Sequence, residues 1–161
     1  MKYVIRSIPQ EIADEVRRTR LAPGYGHPAH LEIASGTGPC RCCLQKFVPQ
    51  HDRRLLFTYR PPGVGSLMAP GPVFIHADHC DAFAGDGFPE GLRDLPLAFE
   101  ARASGSRVIE LSARQDVPAE AQMTVLFNEL SAQWLHIRHA EAGCYIARVD
   151  RALAARLTIA Q

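Results

Sequence analysis

The chain has 161 residues, 18 Lys and Arg against 17 Asp and Glu, and a formal net charge of +1. That length suits a single domain over residues 1–161, able to bury roughly 70% of its unfolded surface without a metal or disulfides as its main support. The near-neutral balance excludes the basic footprint of a nucleic-acid binder, and 47% hydrophobic with 22% charged residues excludes wholesale disorder.

In chain order, residues 2–6 read as a strand carrying Lys2 and Arg6, which leaves no apolar core for a signal peptide. No apolar run reaches the ~18 residues that would span a bilayer. The expected compartment is the reducing cytoplasm, where five cysteines, an odd number, read as ligands, buried apolar groups or reactive thiols rather than bridges. Ser7 and Gln10 have capping-box spacing for a helix with Ile12 and Val16 on one face, ended by Pro23-Gly24. Residues 31–34, 55–59 and 73–77 are rich in strand formers. Between the last two, residues 61–72 hold four prolines and three glycines, a stiff surface connection in preference to a lid. Residues 81–94 are irregular. Phe99, Ala101 and Ala103 alternate with Glu100 and Arg102, and Ser104-Gly105-Ser106 turns them into a hairpin with residues 107–111. Met123, Leu126, Phe127 and Leu130 form the apolar stripe of a second helix entered near Asp116 and Pro118. Residues 134–138 and 144–150 close the chain as another hairpin. Strands joined by hairpins, with two main helices, predict an α+β fold with a largely antiparallel sheet. No GxGxxG or GxxxxGK[ST] motif occurs, so nucleotide binding is discounted.

Two clusters carry chemistry. Cys40 and Cys43 stand in CxxC spacing, and His76 and Cys80 in HxxxC spacing. Zn²⁺ takes four such ligands in a tetrahedron, and ligands two to four residues apart converge because a tight turn brings both side chains to one side. Cys42 and His79 are spare candidates. The competing reading is reduced cysteines packed as small hydrophobes beside a hydrogen-bonded strand histidine.

The second cluster is the closing hairpin. With Arg138 opposite Cys144, His136 faces Ile146 and Trp134 faces Arg148, and strand alternation puts Trp134, His136, Arg138, Cys144 and Arg148 on a face open to a pocket or to solvent. Leu135, Ile137, Tyr145, Ala147 and Val149 then cover the core. A histidine beside a thiol and guanidiniums suits a thiolate nucleophile or anion binding. The competing reading is a solvated face with Trp134 stacked on Arg148.

Gly38-Pro39-Cys40-Arg41, the strand over 55–59, the run from Gly71 to His76, and above all His136 with the Gly-Cys-Tyr-x-Ala-Arg-Val-Asp-Arg string over 143–151 resemble the bacterial family called domain of unknown function 1203. The resemblance implies a small single-domain bacterial protein without an assigned activity. It places Pro39, Cys40, Arg41, His136, Cys144 and Arg148 in the recurring motif. Many members lack partners at the positions of Cys43, His76 and Cys80, which argues against a family-wide zinc site and leaves one open for a subset that includes this chain.

Three functions stay open. The first is a zinc module through Cys40, Cys43, His76 and Cys80. The second is a thiol enzyme or anion binder, with Cys144 or Cys40 as thiolate, His136 as base, Arg41, Arg138 and Arg148 as anion holders and Trp134 beside them. The third is a structural domain acting through a protein partner. Whether the chain is an enzyme is left undecided, and its partner is an unspecified small molecule or protein, with neither nucleic acid nor membrane.

Overall fold

A computed structural model of the chain describes residues 2–62, 69–104 and 107–152. Eight strands and two α-helices are found among them: β1 (Tyr3–Arg6), α1 (Gln10–Thr19), β2 (His30–Ile33), β3 (Arg53–Tyr59), β4 (Gly71–His76), β5 (Leu97–Arg102), β6 (Val108–Ser112), α2 (Ala119–Asn128), β7 (Trp134–His139) and β8 (Tyr145–Arg151). The strands form a five-stranded sheet in the order β1-β8-β7-β5-β6 and a three-stranded sheet β2-β3-β4. Every pairing is antiparallel, so the fold is α+β as the pattern of hairpins indicates. No described helix is long and apolar enough to cross a membrane. Residues 63–68 of the proline-rich loop and residues 105–106 of the β5–β6 turn lie outside the described residues.

Strand alternation gives the five-stranded sheet one face for α2. Phe99, Leu135, Ile137, Ala147 and Val149 pack there with Met123, Leu126 and Phe127. Trp134 and Tyr145, from the opposite face of the same hairpin, join the second core, where Ala13 and Val16 of α1 meet Leu55, Phe57, Val73 and Ile75 of the smaller sheet. The apolar stripe of α2 stops at Phe127. Leu130 lies beyond the helix end and is exposed.

Two expectations about local structure need correction. The capping box does not form: Pro9 is the N-cap of α1, without a side-chain cap. Pro9 has the fixed φ suited to entering a helix, so the helix starts at Gln10 and frees that side chain for a distant loop. The closing hairpin also has a different register. Arg138 pairs with Tyr145, His136 with Arg148 and Trp134 with Asp150, with an irregularity between Ile137 and Arg138. The extra residue on β8 is Ile146, and a bulge of this kind breaks the alternation of faces on its strand. Ile146 therefore packs with α2, and Tyr145 turns to the Trp134 side.

Candidate metal centre

The loop between β2 and β3 is pinched by an isolated bridge between Pro39 and Lys46. Inside it the Cys40 N–H donates to the Gln45 carbonyl and the Leu44 N–H to the Cys40 carbonyl, both at 2.9 Å. Leu44 has the left-handed φ of 59°. The turn thus reverses within a few residues and presents Cys40 and Cys43 together. The β3–β4 hairpin, in which Arg54 pairs with His76, delivers the other half: His76 ends β4, and the chain bends back to Cys80. Gln10 holds that bend from α1, its Nε2 donating to the Cys80 carbonyl at 3.2 Å and its Oε1 accepting the Ala82 N–H at 2.6 Å.

One ligand atom from each of Cys40, Cys43, His76 and Cys80 lies within 4.8 Å of all the others. Cys40 Sγ and Cys80 Sγ are 3.8 Å apart, and Cys43 Sγ is 3.6 Å from His76 Nδ1. This cluster can hold a metal ion. Three further groups support it. His76 Nε2 lies 3.2 Å from Asp52 Oδ2, which also accepts the Val48 N–H at 2.7 Å. The His76 N–H donates to Cys40 Sγ at 3.3 Å. Arg17 Nη2 donates to Cys80 Sγ at 3.0 Å while its Nε donates to the His76 carbonyl at 3.1 Å.

The clustered groups shift one another's proton affinities. Hydrogen bonds from Cys40, and then Cys42 and Cys43, push the Cys80 thiol far down. Sharing with Cys80 pushes Cys42 up, and sharing with Cys40 and Cys80 pushes Cys43 up. His76 is raised to about 10 by its hydrogen bonds with Cys40 and Cys80, against its burial. The Val48 amide, followed by His76, keeps the Asp52 carboxyl low.

The other candidate residues do not assemble into a thiol–histidine pair. Arg41 is buried, and its Nε donates to the Tyr145 carbonyl at 2.8 Å and its Nη1 to the Pro39 carbonyl at 2.5 Å; burial lowers its pKa to about 10. It is the tie between the cysteine turn and the closing hairpin. His136 is fully buried rather than open to a pocket or to solvent, because the rings of Trp134 and Tyr145 enclose it at centroid distances of 4.7 and 5.0 Å. Its Nδ1 is 3.5 Å from Glu100 Oε1. Burial lowers its pKa. Trp134 is buried too, with Arg148 stacked over it at 4.3 Å, and Arg148 Nε donates to Asp150 at 2.8 Å. Arg138 reaches Glu100 at 3.2 Å and the Gly143 carbonyl at 2.9 Å. Cys144, partly exposed in the hairpin turn, contacts the Ala142 carbonyl at 3.7 Å and borders a shallow crevice with Tyr59, Pro72 and Arg138. Among the described residues no hydrogen bond joins it to His136.

Sequence reasoning missed Asp52, Arg17 and Glu100. Arg17 and Asp52 reach the site from a helix and from the residue before β3, and no local spacing relates either to a cysteine. Glu100 is legible only through the register that sets it opposite His136.

The profile of a family described as protein of unknown function (DUF1203) matches residues 37–151, which contain all four clustered residues. No curated protein and no solved structure matches the chain.

Proposed function

Because the chain belongs to the DUF1203 family, whose description names no activity, we propose a function from its own residues: a structural zinc site with Cys40, Cys43, His76 and Cys80 as ligands. The carrying observation is the size of the cluster. With Zn–S about 2.3 Å and Zn–N about 2.0–2.1 Å, a tetrahedron has S–S edges of about 3.8 Å and S–N edges of about 3.6 Å. The Cys40–Cys80 and Cys43–His76 separations are 3.8 and 3.6 Å. Three thiolates and one imidazole are soft or borderline donors, which favours zinc over magnesium or calcium.

His76 binds through Nδ1, and Asp52 holds its other nitrogen, the carboxylate–histidine–metal arrangement that fixes tautomer and ring orientation. Three thiolates with Zn²⁺ carry one net negative charge, which the Arg17 guanidinium on Cys80 offsets. Four protein ligands fill the coordination sphere, so the role is to fasten rather than to catalyse. The metal joins the cysteine turn to the end of β4, and through Arg17 and Gln10 to α1, and its binding free energy becomes folding free energy.

Cobalt substitution tests this reading. Co²⁺ added to metal-free protein under reducing conditions is expected to saturate at one equivalent, with the intense visible bands of a tetrahedral thiolate site, and to be displaced by zinc. Weak octahedral absorption or no saturation would contradict it.

A further inference from the structure

Cys42 is the thiol that the tetrahedron leaves out. It is fully buried, in the core beneath α1, and its Sγ lies 3.7 Å from the Cys80 carbonyl. That contact sets the Cys42 thiol against the Cys80 residue, and Arg17 donates to Cys80, with Nη2 3.0 Å from Cys80 Sγ. Cys80 is only partly buried, so it is the member of the pair that a small solute can meet.

Resting on the zinc reading, we propose that Cys80 and Cys42 form an oxidation site through which a peroxide releases the metal. The Cys80 thiolate attacks one peroxide oxygen, the O–O bond breaks, and hydroxide leaves: sulfur is oxidised to a sulfenic acid and the peroxide is reduced. The sulfur of Cys42 then attacks the Cys80 sulfur, forming the S–S bond and expelling a second hydroxide, while the Cys42 proton converts one hydroxide to water. In sum, one thiolate, one thiol and one hydrogen peroxide give a disulfide, a water and a hydroxide. The sulfenic acid is the rung of cysteine oxidation that a neighbouring thiol converts to a disulfide.

Each neighbour has a part. The Arg17 guanidinium, with Nη2 3.0 Å from Cys80 Sγ, offsets the charge on the departing oxygen. Cys42, sealed from solvent, attacks within the protein and needs no access of its own. Cys40 is also near Cys80, with 3.8 Å between the sulfurs, but a disulfide to Cys40 would take a second ligand from the metal, whereas Cys42 is outside the coordination sphere from the start. Joining Cys80 to Cys42 as a disulfide takes Cys80 out of the sphere and leaves three ligands, and the metal dissociates.

The test uses the full chain loaded with zinc, treated with hydrogen peroxide in the presence of a chromogenic chelator, and digested for disulfide mapping. Zinc content is measured before peroxide is added: a protein without metal at that point refutes the zinc reading, while mapping of the same protein still shows whether the two cysteines join. Wild type is expected to release one equivalent, to yield a Cys42–Cys80 disulfide, and to rebind zinc after reduction. Cys42→Ser and Cys42→Ala should release zinc at least about tenfold more slowly and accumulate a dimedone-reactive Cys80. Release at the wild-type rate from either folded variant, or a wild-type disulfide joining Cys80 to Cys40 or Cys43, would overturn the proposal. The mapping on wild type stands whether or not the variants fold.

Discussion

Asp52 and His76 are joined through the far side of the imidazole: Nε2 is 3.2 Å from Asp52 Oδ2, while Nδ1 turns toward Cys43 Sγ at 3.6 Å. An outer partner of this kind raises ligand basicity and fixes the ring, and its loss costs about 10–100-fold in metal affinity. Asp52→Ala should weaken zinc binding by that factor in a chelator competition. Unchanged affinity would remove Asp52 from the site.

Gly91 supports the cysteine turn from behind. A Cβ there would press on the Leu44 carbonyl oxygen and lie 2.9 Å from the Cα of Gln45. Both are backbone atoms of the turn that presents Cys40 and Cys43, so no rotamer change relieves the clash. Overpacking of this type costs about 1–3 kcal/mol, and Gly91→Ala should show that loss in urea unfolding together with weaker zinc retention. A variant as stable as the parent would show that the turn moves freely.

Arg41 separates a structural tie from an anion site. Its guanidinium satisfies the carbonyls of Tyr145 and Pro39, and a buried acceptor left without a donor costs about 1–3 kcal/mol. Arg41→Met is expected to lower unfolding free energy by at least that much for one carbonyl, measured in denaturant, while the folded fraction keeps its zinc. Stability equal to that of wild type would contradict the tie.

His136 sets an acid limit. Burial lowers its pKa below 6.5 in the folded protein, so below pH 6.5 the unfolded chain binds more protons than the folded one and stability falls as the pH falls toward the folded pKa. Glu100, lowered to about 2 mainly by His136 and Arg102 against its burial, loses its contribution in a separate window, from 4.5 down to about 2. His136→Phe should flatten the decline just below pH 6.5 in thermal melts and, because His136 is one of the groups that keep Glu100 low, shrink the lower decline as well. An unchanged profile would mean that His136 titrates normally in the fold.

The four clustered residues were legible because CxxC and HxxxC are local spacings produced by single turns, and the strands over 55–59 and 73–77 are dense in strand formers. Nothing local says that these half-sites converge; the β3–β4 pairing does that. Asp52 and Arg17 were illegible for the same reason, since their positions depend on how a hairpin end and a helix meet the turn. In the closing hairpin, alternation identified Leu135 and Ile137 as core residues, but the bulge at Ile146 shifted Tyr145 to the other face. Burial of Trp134 and His136 came from a second core against that face, which strand periodicity alone does not reveal.

The most direct measurement is the metal content of protein purified without chelator and without nickel affinity, read by elemental analysis alongside a free-thiol titration. The zinc reading predicts about one zinc per chain, falling sharply in Cys43→Ser and His76→Ala with a parallel loss of stability, because binding energy at a structural site is folding energy. Native folded protein with all five thiols reduced and no zinc would contradict it.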